Sequence, residues 1–400
     1  MTTHHFLIAG AGIGGLAAAL ALKHGGAHVT VLEAAAELGE VGAGIQLGPN
    51  AMKVLAKLGL HDAVMQVASV PEAIVIADAA TGRPISRMLL GQAVQHKYGV
   101  PYVSLHRADL HGVLLHAAQT AGVQIEVNQA LLNYEHTTQE IRRRSADFDQ
   151  KYDALIGADG LWSAVRAQLL NDGAPRATGH AAFRALIPCE QMPQALRTPH
   201  VRTWWARDVH VVSYPLRGGA LWNLVVLAET PDSETAGWSL AATDAQVMQC
   251  FGRVEPQLLS LLQAGSRAGW RRWNLFDREP FAAKCMAQGR VALLGDAAHP
   301  MLPYMAQGAG MALEDAWQLA CSVRQHMHIV QALAHYAHAR AARNARVVRS
   351  AQRNGRIFHL SGAMALARNA VLTLQGTQVL GMPWLYGYSV SESLGQNPMN

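Results

Sequence analysis

The feature that most constrains this chain lies near its start, where Gly10-x-Gly12-x-x-Gly15 follows a short apolar run and opens a stretch of small residues. The run, 6–9, reads as a strand; the small residues read as a helix to about residue 24, and 28–32 reads as a second strand. Strand, glycine turn, helix and strand in that order commit the chain to a βαβ unit with parallel strands. The three glycines allow a tight turn and close backbone approach, so the helix N-terminus presents free N–H groups to a pyrophosphate. Glu33 ends the second strand, 18 residues after Gly15, where it would accept from a ribose hydroxyl. An ordinary tight turn is the structural alternative.

At 400 residues the chain has room for one large domain and a smaller companion. A helix is expected over 50–58, between Pro49 and Gly59. Residues 71–95 change to short β-branched stretches and a turn, which places them in a second sheet. A helix over 108–120 and a strand over 124–128 return to the first domain. Residues 181–273 are dominated by strands and predict an antiparallel sheet that walls a substrate. An apolar strand over 290–294 then ends in Gly295-Asp296, and 309–327 and 330–355 read as helices. The expected fold class is therefore α/β. A Rossmann-like domain with a parallel sheet would take 1–70, 101–180 and 274–330. A mainly antiparallel sheet domain would take 71–100 and 181–273, and a C-terminal helical region 331–400. Arg340, Arg343, Arg346, Arg349, Arg353 and Arg356 recur every three or four residues in the last helix and read as a solvated face.

Hydrophobic residues make up 50% and charged ones 15%, which indicates a compact globular chain. The net charge of +5 comes from dispersed residues without a recognition motif, so no nucleic-acid partner is expected, although an anionic substrate and cofactor would suit it. The four cysteines show no disulfide or metal-ligand spacing, so no metal and a reducing, cytoplasmic setting are expected. The uncharged run 6–22 is punctuated by four glycines and is short beside the about 20 apolar residues of a membrane span, so no membrane association is expected.

The glycine turn alone does not separate NAD from FAD. Two further segments do so by resemblance: Tyr152-Asp-Ala-Leu-Ile-Gly-Ala-Asp159-Gly160-Leu-Trp-Ser163-Ala-Val-Arg166 and Gly289-Arg-Val-Ala-Leu-Leu-Gly295-Asp296-Ala-Ala-His299-Pro300. With the glycine turn, in this order and spanning nearly the whole chain, they resemble the motifs of the single-component flavoprotein aromatic hydroxylases. The resemblance implies FAD as the cofactor, with Asp159 near its pyrophosphate and the path of NAD(P)H, and Gly295-Asp296 at its ribitol chain. Local structural alternatives are a turn at Asp159-Gly160 and a helix cap at Asp296. His106-Arg107-Ala-Asp109-Leu110 resembles the family segment whose arginine contacts FAD, which assigns Arg107. Residues 303–316 resemble the loop and helix beside the isoalloxazine, with Gly308 and Ala309 against the ring. There the family's reduced flavin carries oxygen as a C4a-hydroperoxide that survives only when water is excluded. Gly42-Ala43-Gly44 resembles the family's flexible stretch, which lets the flavin move to meet NAD(P)H as a transient co-substrate.

The implied activity is hydroxylation by O2 of a small hydroxylated aromatic carboxylate, in the manner of the salicylate, 3-hydroxybenzoate and 6-hydroxynicotinate hydroxylases. An epoxidase or reductase on the same scaffold, or a non-catalytic flavin-binding regulator, is the alternative. A homodimer is the assembly considered. Because a phenolate is far more reactive than a phenol toward an electrophilic oxygen donor, a base should stand beside the substrate hydroxyl. In the stretch 208–215, alternation puts His210, Val212 and Tyr214 on one face, and about 3.3 Å per residue separates the two polar groups by roughly 13 Å. His210 suits a general base and Tyr214 an orienting or relaying group. A satisfied core histidine and an edge tyrosine are the alternative. Pro303 departs from the 3-hydroxybenzoate enzymes, which carry a glutamine in that loop, so the sequence leaves the ring open.

Overall fold

The computed structural model of the chain describes residues 4–39, 43–144, 149–230 and 240–390. The first strand, His5–Ala9, lies inside a six-stranded sheet, flanked by His28–Leu32 and by Ala154–Gly157 from the middle of the chain. Val291–Leu293 and Gln124–Glu126 extend the sheet in parallel on either side, and a short antiparallel strand, Ala287–Gln288, closes one edge. Phe6, Leu7 and Ile8 are all fully buried, as expected where helices cover both faces of a parallel sheet. The helix Ile13–His24 is buried along most of its length and packs on the helix Gly308–Gln325. Its run of alanines lets the two backbones come close.

The second sheet has eight strands, in the order Leu240–Ala242, Trp270–Asp277, Arg176–Pro188, Leu221–Glu229, Val209–Leu216, His200–Ala206, Ala73–Asp78 and Pro84–Leu89. It is antiparallel except where His200–Ala206 runs parallel to Ala73–Asp78. One face, carrying Phe183, Val211, Leu224 and Val226, packs on Leu258, Leu261 and Leu262 of the helix Pro256–Ala268. The opposite face carries His210, Val212 and Tyr214 and meets Leu302 and Tyr304 of the segment that precedes Gly308.

Several details differ from the sequence reading. The helix Pro256–Ala268 lies within the stretch read as strands, although Glu255 as N-cap and Pro256 at the first helical position announce it. The helix Gly91–Tyr98 overlaps the end of the 71–95 stretch, read as strand and turn. A small antiparallel sheet, Glu135–His136, Ile141–Arg144 and Asp149–Tyr152, was not anticipated. The arginine helix, Ile329–Phe358, is a solvated face at four of its six arginines. Arg346, Arg349, Arg353 and Arg356 are exposed, but Arg340 is fully buried and Arg343 largely so. Their guanidinium groups bind Glu314 and Asp315, inside the helix Gly308–Gln325. Among the described residues no single helix is long and apolar enough to cross a membrane.

Candidate active site

The glycine turn is dictated by contact. Gly10 has φ +100°, and a Cβ there would lie 2.4 Å from the carbonyl oxygen of Ala158; a Cβ on Gly15 would lie 1.9 Å from that of Gly10. A Cβ on Gly14 would lie 2.7 Å from Leu294 Cδ2. The turn therefore touches the Asp159 and the Gly295 segments at once, and the three motifs form one surface. Gly12 begins the helix with no side-chain cap, so among the described residues no side chain caps the first-turn N–H groups. Glu33 accepts from the backbone N–H of Ala11 at 2.8 Å through Oε2 and from that of Ala35 at 2.9 Å through Oε1. Its carboxylate thus sits directly on the glycine turn, with lone pairs to spare.

Asp159 is held inward. It accepts from the Ser163 hydroxyl and from the N–H of Val165 at 3.2 Å, so it braces the first turn of the helix Ala164–Leu170, whose N-cap is Ser163, and burial pushes its carboxyl upward. The turn expected at Asp159-Gly160 is present, with Gly160 at φ +77°. Asp296 is exposed in the tight turn Gly295–Ala297. Gly295, at φ +60°, donates its N–H to Asp315 at 3.1 Å. Arg107 opens the helix Arg107–Thr120 and is half-buried, and its N–H donates to the Ala43 carbonyl at 2.9 Å. Gly308 and Ala309 open another helix without a side-chain cap, and a Cβ on Gly308 would meet nothing within 4 Å. That helix is pinned from behind. Asp315 binds His299 and Arg340, which hold its carboxyl well below the usual range although burial works the other way. Two uncapped helix N-termini, an exposed aspartate between them and close-approach glycines fit an anionic dinucleotide with a polyhydroxyl chain, as FAD is.

His210 and Tyr214 lie on one sheet face, as alternation requires, and both are buried, while Val212 between them is only half-buried. Around Tyr214 the chain gathers Gln46, which hydrogen-bonds it, and Tyr102, whose hydroxyl donates to Gln46 Oε1 at 2.9 Å. Burial pushes the Tyr214 phenol up, against the nearby Arg184. The Arg184 guanidinium lies 3.8 Å from the Trp273 ring, and its buried Nε makes no hydrogen bond among the described residues. Gly44, expected to ease flavin motion, instead pairs in the ribbon Gly44–Leu47/Val103–His106. A Cβ on it would lie 2.7 Å from both Tyr214 and Asn223, so it is a close-approach glycine; Gly42 is outside the described residues. At the other end, His210 Nδ1 lies 3.0 Å from Nε2 of His359, with the Tyr304 ring centroid 5.3 Å and the Phe358 centroid 5.4 Å away. Burial, then His359 and His180, hold the His210 imidazolium pKa well below its ordinary value, so the ring is neutral. Sequence reasoning missed Gln46, Tyr102, Arg184, Tyr304 and His359 as site residues. Gln46 and Tyr304 stood beside recognised motifs, whereas nothing in the sequence links His359 to His210.

A parallel-sheet dinucleotide fold with a second sheet facing its Gly308 loop defines the class. A family model described as "FAD binding domain" matches residues 3–351, and the chain belongs to that family. It is an FAD-dependent aromatic hydroxylase, a flavoprotein monooxygenase for which NAD(P)H is the co-substrate. Over 394 residues it is 40% identical to 3-hydroxybenzoate 6-hydroxylase 1 of Aquipseudomonas alcaligenes, covering 97% of this chain and 99% of that one. It is 39% identical over 400 residues to the 3-hydroxybenzoate 6-hydroxylase of Polaromonas naphthalenivorans, covering 98% of each. Klebsiella pneumoniae HpxO, solved with FAD and uric acid, superposes with a TM-score of 0.83 at 26% identity, covering 94% of this chain and 95% of that one.

Proposed function

We propose that the chain hydroxylates a monohydroxylated aromatic carboxylate held between His210 and Tyr214, with 3-hydroxybenzoate, the substrate in the names of the two relatives, as the first candidate. The observation that carries this reading is the polarity of the sheet face: a neutral buried imidazole at one end and the Tyr214–Gln46–Tyr102 cluster at the other. The Tyr214 hydroxyl and the Gln46 amide N–H, which Tyr102 orients by donating to Gln46 Oε1, suit a carboxylate, with the cation of Arg184 nearby. His210 Nε2, which makes no hydrogen bond among the described residues, takes the proton of the ring hydroxyl. The resulting phenolate directs oxygen to the para carbon, which for 3-hydroxybenzoate is position 6.

Bound FAD supplies the activation of O2 with electrons from NAD(P)H. Gly10, Gly12 and Gly15 would hold its pyrophosphate, Glu33 a ribose, Asp296 with Gly295 the ribitol chain, and Arg107 a further contact. Asp159, turned inward, would shape the turn under the pyrophosphate. Gly308 and Ala309 would present N–H groups to the ring, while Tyr304, Phe358 and Leu302 keep water from the substrate face. We assign the flavin to the segments 1–70, 101–180 and 274–330 and the substrate wall to 71–100 and 181–273. The four free cysteines suit a reducing cytoplasm. A homodimer belongs to the same proposal and is read by light scattering.

The test is NAD(P)H and oxygen consumption by the FAD-loaded protein with 3-hydroxybenzoate, salicylate and 6-hydroxynicotinate, with product identification. A 2,5-dihydroxybenzoate product from 3-hydroxybenzoate supports the reading. Oxygen uptake that no aromatic acid changes would end it.

A further inference from the structure

A buried base has to lose the proton it takes, and His210 is poorly placed to keep one. It is 2% exposed, and its charged form is disfavoured by burial and by the two histidines around it. Its Nδ1, however, lies 3.0 Å from Nε2 of His359, the residue that ends the helix Ile329–Phe358. On the far side of that ring, His359 Nδ1 lies 4.0 Å from Oε1 of Glu229, a side chain 54% exposed at the end of its strand. Rotation of this exposed carboxylate, or one water, closes that distance. His180 stacks on His359 with centroids 5.9 Å apart and reaches the same carboxylate oxygen at 3.7 Å. Its Nδ1 lies 2.8 Å from the Thr178 carbonyl, which can only accept, so Nδ1 carries the hydrogen and the Nε2 lone pair faces Glu229.

We propose that His210, His359 and Glu229 form a proton relay that carries the substrate's hydroxyl proton from the closed site to solvent, with His180 as a second acceptor at its outer end. The proposal rests on the reading of His210 as the base. One pair of tautomers permits it: His210 protonated on Nδ1 donates to His359 Nε2, and His359 is protonated on Nδ1, toward Glu229. Nε2 of His210 accepts the hydroxyl proton, the Nδ1 proton of His210 passes to His359 Nε2, and the Nδ1 proton of His359 passes to Glu229 and water. One proton enters and one leaves, so neither imidazole ends the transfer charged. When the hydroxylated ring regains aromaticity, its carbonyl oxygen takes a proton back from His210 Nε2, and the chain resets in the opposite sense. Neutral rings at rest suit such a transfer. Burial, with His180 and Arg368 adding to it and Asp208 opposing, brings His359 down to about 4. Tyr304 packs against both histidines, its own phenol pushed up by burial and by Glu229, so it stays neutral.

The relay is tested by stopped-flow mixing of FAD-loaded enzyme with aromatic acid and a pH-indicator dye, following phenolate absorbance and proton release across pH. His359→Gln should slow both signals by about 10²-fold, with FAD content and substrate affinity retained, and added imidazole should restore the rate. Glu229→Gln, on an exposed side chain with little structural burden, should slow release by a smaller factor and shift its pH profile. His210→Gln should abolish phenolate formation in any buffer. If His210→Gln loses the phenolate while His359→Gln and Glu229→Gln keep the wild-type rate and pH profile, the relay is wrong and the base reading stands. Should His210→Gln still form phenolate at the wild-type rate, the base reading itself fails and the relay with it.

Discussion

The cofactor side and the substrate side of this molecule solve opposite problems. Around the glycine turn and Gly308, recognition is offered by backbone: uncapped helix N-termini and glycines that a Cβ would disrupt. Buried charges stand behind this surface, where Arg340 joins Glu314 and Asp315 with none of the three exposed, and where buried Arg166 binds Asp172 and the Ala297 and Ala298 carbonyls. On the sheet face proposed for substrate, the candidate groups are side chains, those of Gln46, Tyr102, His210, Tyr214 and His359, and the buried histidines and tyrosines among them are neutral beside the Arg184 cation. Permanent charge is tolerated inside, paired at Arg340 and stacked on Trp273 at Arg184, whereas the groups proposed to gain and lose a proton are kept neutral.

Breaking the charged side should have the largest effect. Replacing Arg340 by Leu leaves Glu314 and Asp315 with less compensation and should cost about 3–5 kcal/mol of stability. Thermal unfolding of the FAD-loaded protein checks this, and an unchanged melting temperature would show that the network carries no load. On the substrate side, His210→Ala should slow hydroxylation by roughly 10²-fold with FAD content unchanged. Wild-type turnover and coupling in that variant would remove His210 from the chemistry and leave the sheet face as packing. The converse variant is Asp296→Ala, which should weaken FAD by about 10- to 100-fold, the scale of one charge-assisted hydrogen bond. Once the variant is saturated with FAD, the rate of substrate phenolate formation should match wild type; a titration of apoprotein with FAD reads the first half.

The mildest probe is pH. The folded pKa of His359, about 4, lies below its unfolded value near 6.5, so the unfolded state binds more protons between the two. Stability is fully present above about pH 6.5 and falls as pH drops toward 4, by about 2 kcal/mol between pH 7 and 5 from this group, and His210 acts in the same direction. The depressed Asp315 works at lower pH, since its contribution is present above the unfolded carboxyl value near 3.9 and is lost only as pH falls through its folded value. Denaturant melts at pH 7 and pH 5 should therefore lie closer together for His359→Gln than for wild type, with His210 supplying part of the remaining gap, and an equal loss in variant and wild type would refute the assignment.

What could be read without a structure follows from how local each feature is. The strand read over 28–32 is observed as His28–Leu32, the helix over 50–58 as Pro49–Lys57, and the helix over 309–327 as Gly308–Gln325. Each rests on periodicity and on cap or turn residues a few positions apart, and the glycine turn is a backbone device written in consecutive residues. Alternation likewise put His210 and Tyr214 on one face, because a strand's period is a local property. The helix Pro256–Ala268 carried local signals too and was passed over because strands surround it.

Three-dimensional structure alone decided which charges are paired and what each polar side chain touches. Six arginines on one helix looks like a solvated face, and four of them are exposed; burial of Arg340 against Asp315 depends on another helix arriving alongside. The contact between His210 and His359 joins residues 149 positions apart, a strand to the end of a C-terminal helix. A sequence states which groups can take a proton, but a proton moves over about 3 Å, and that distance is fixed only when segments far apart in the chain pack together.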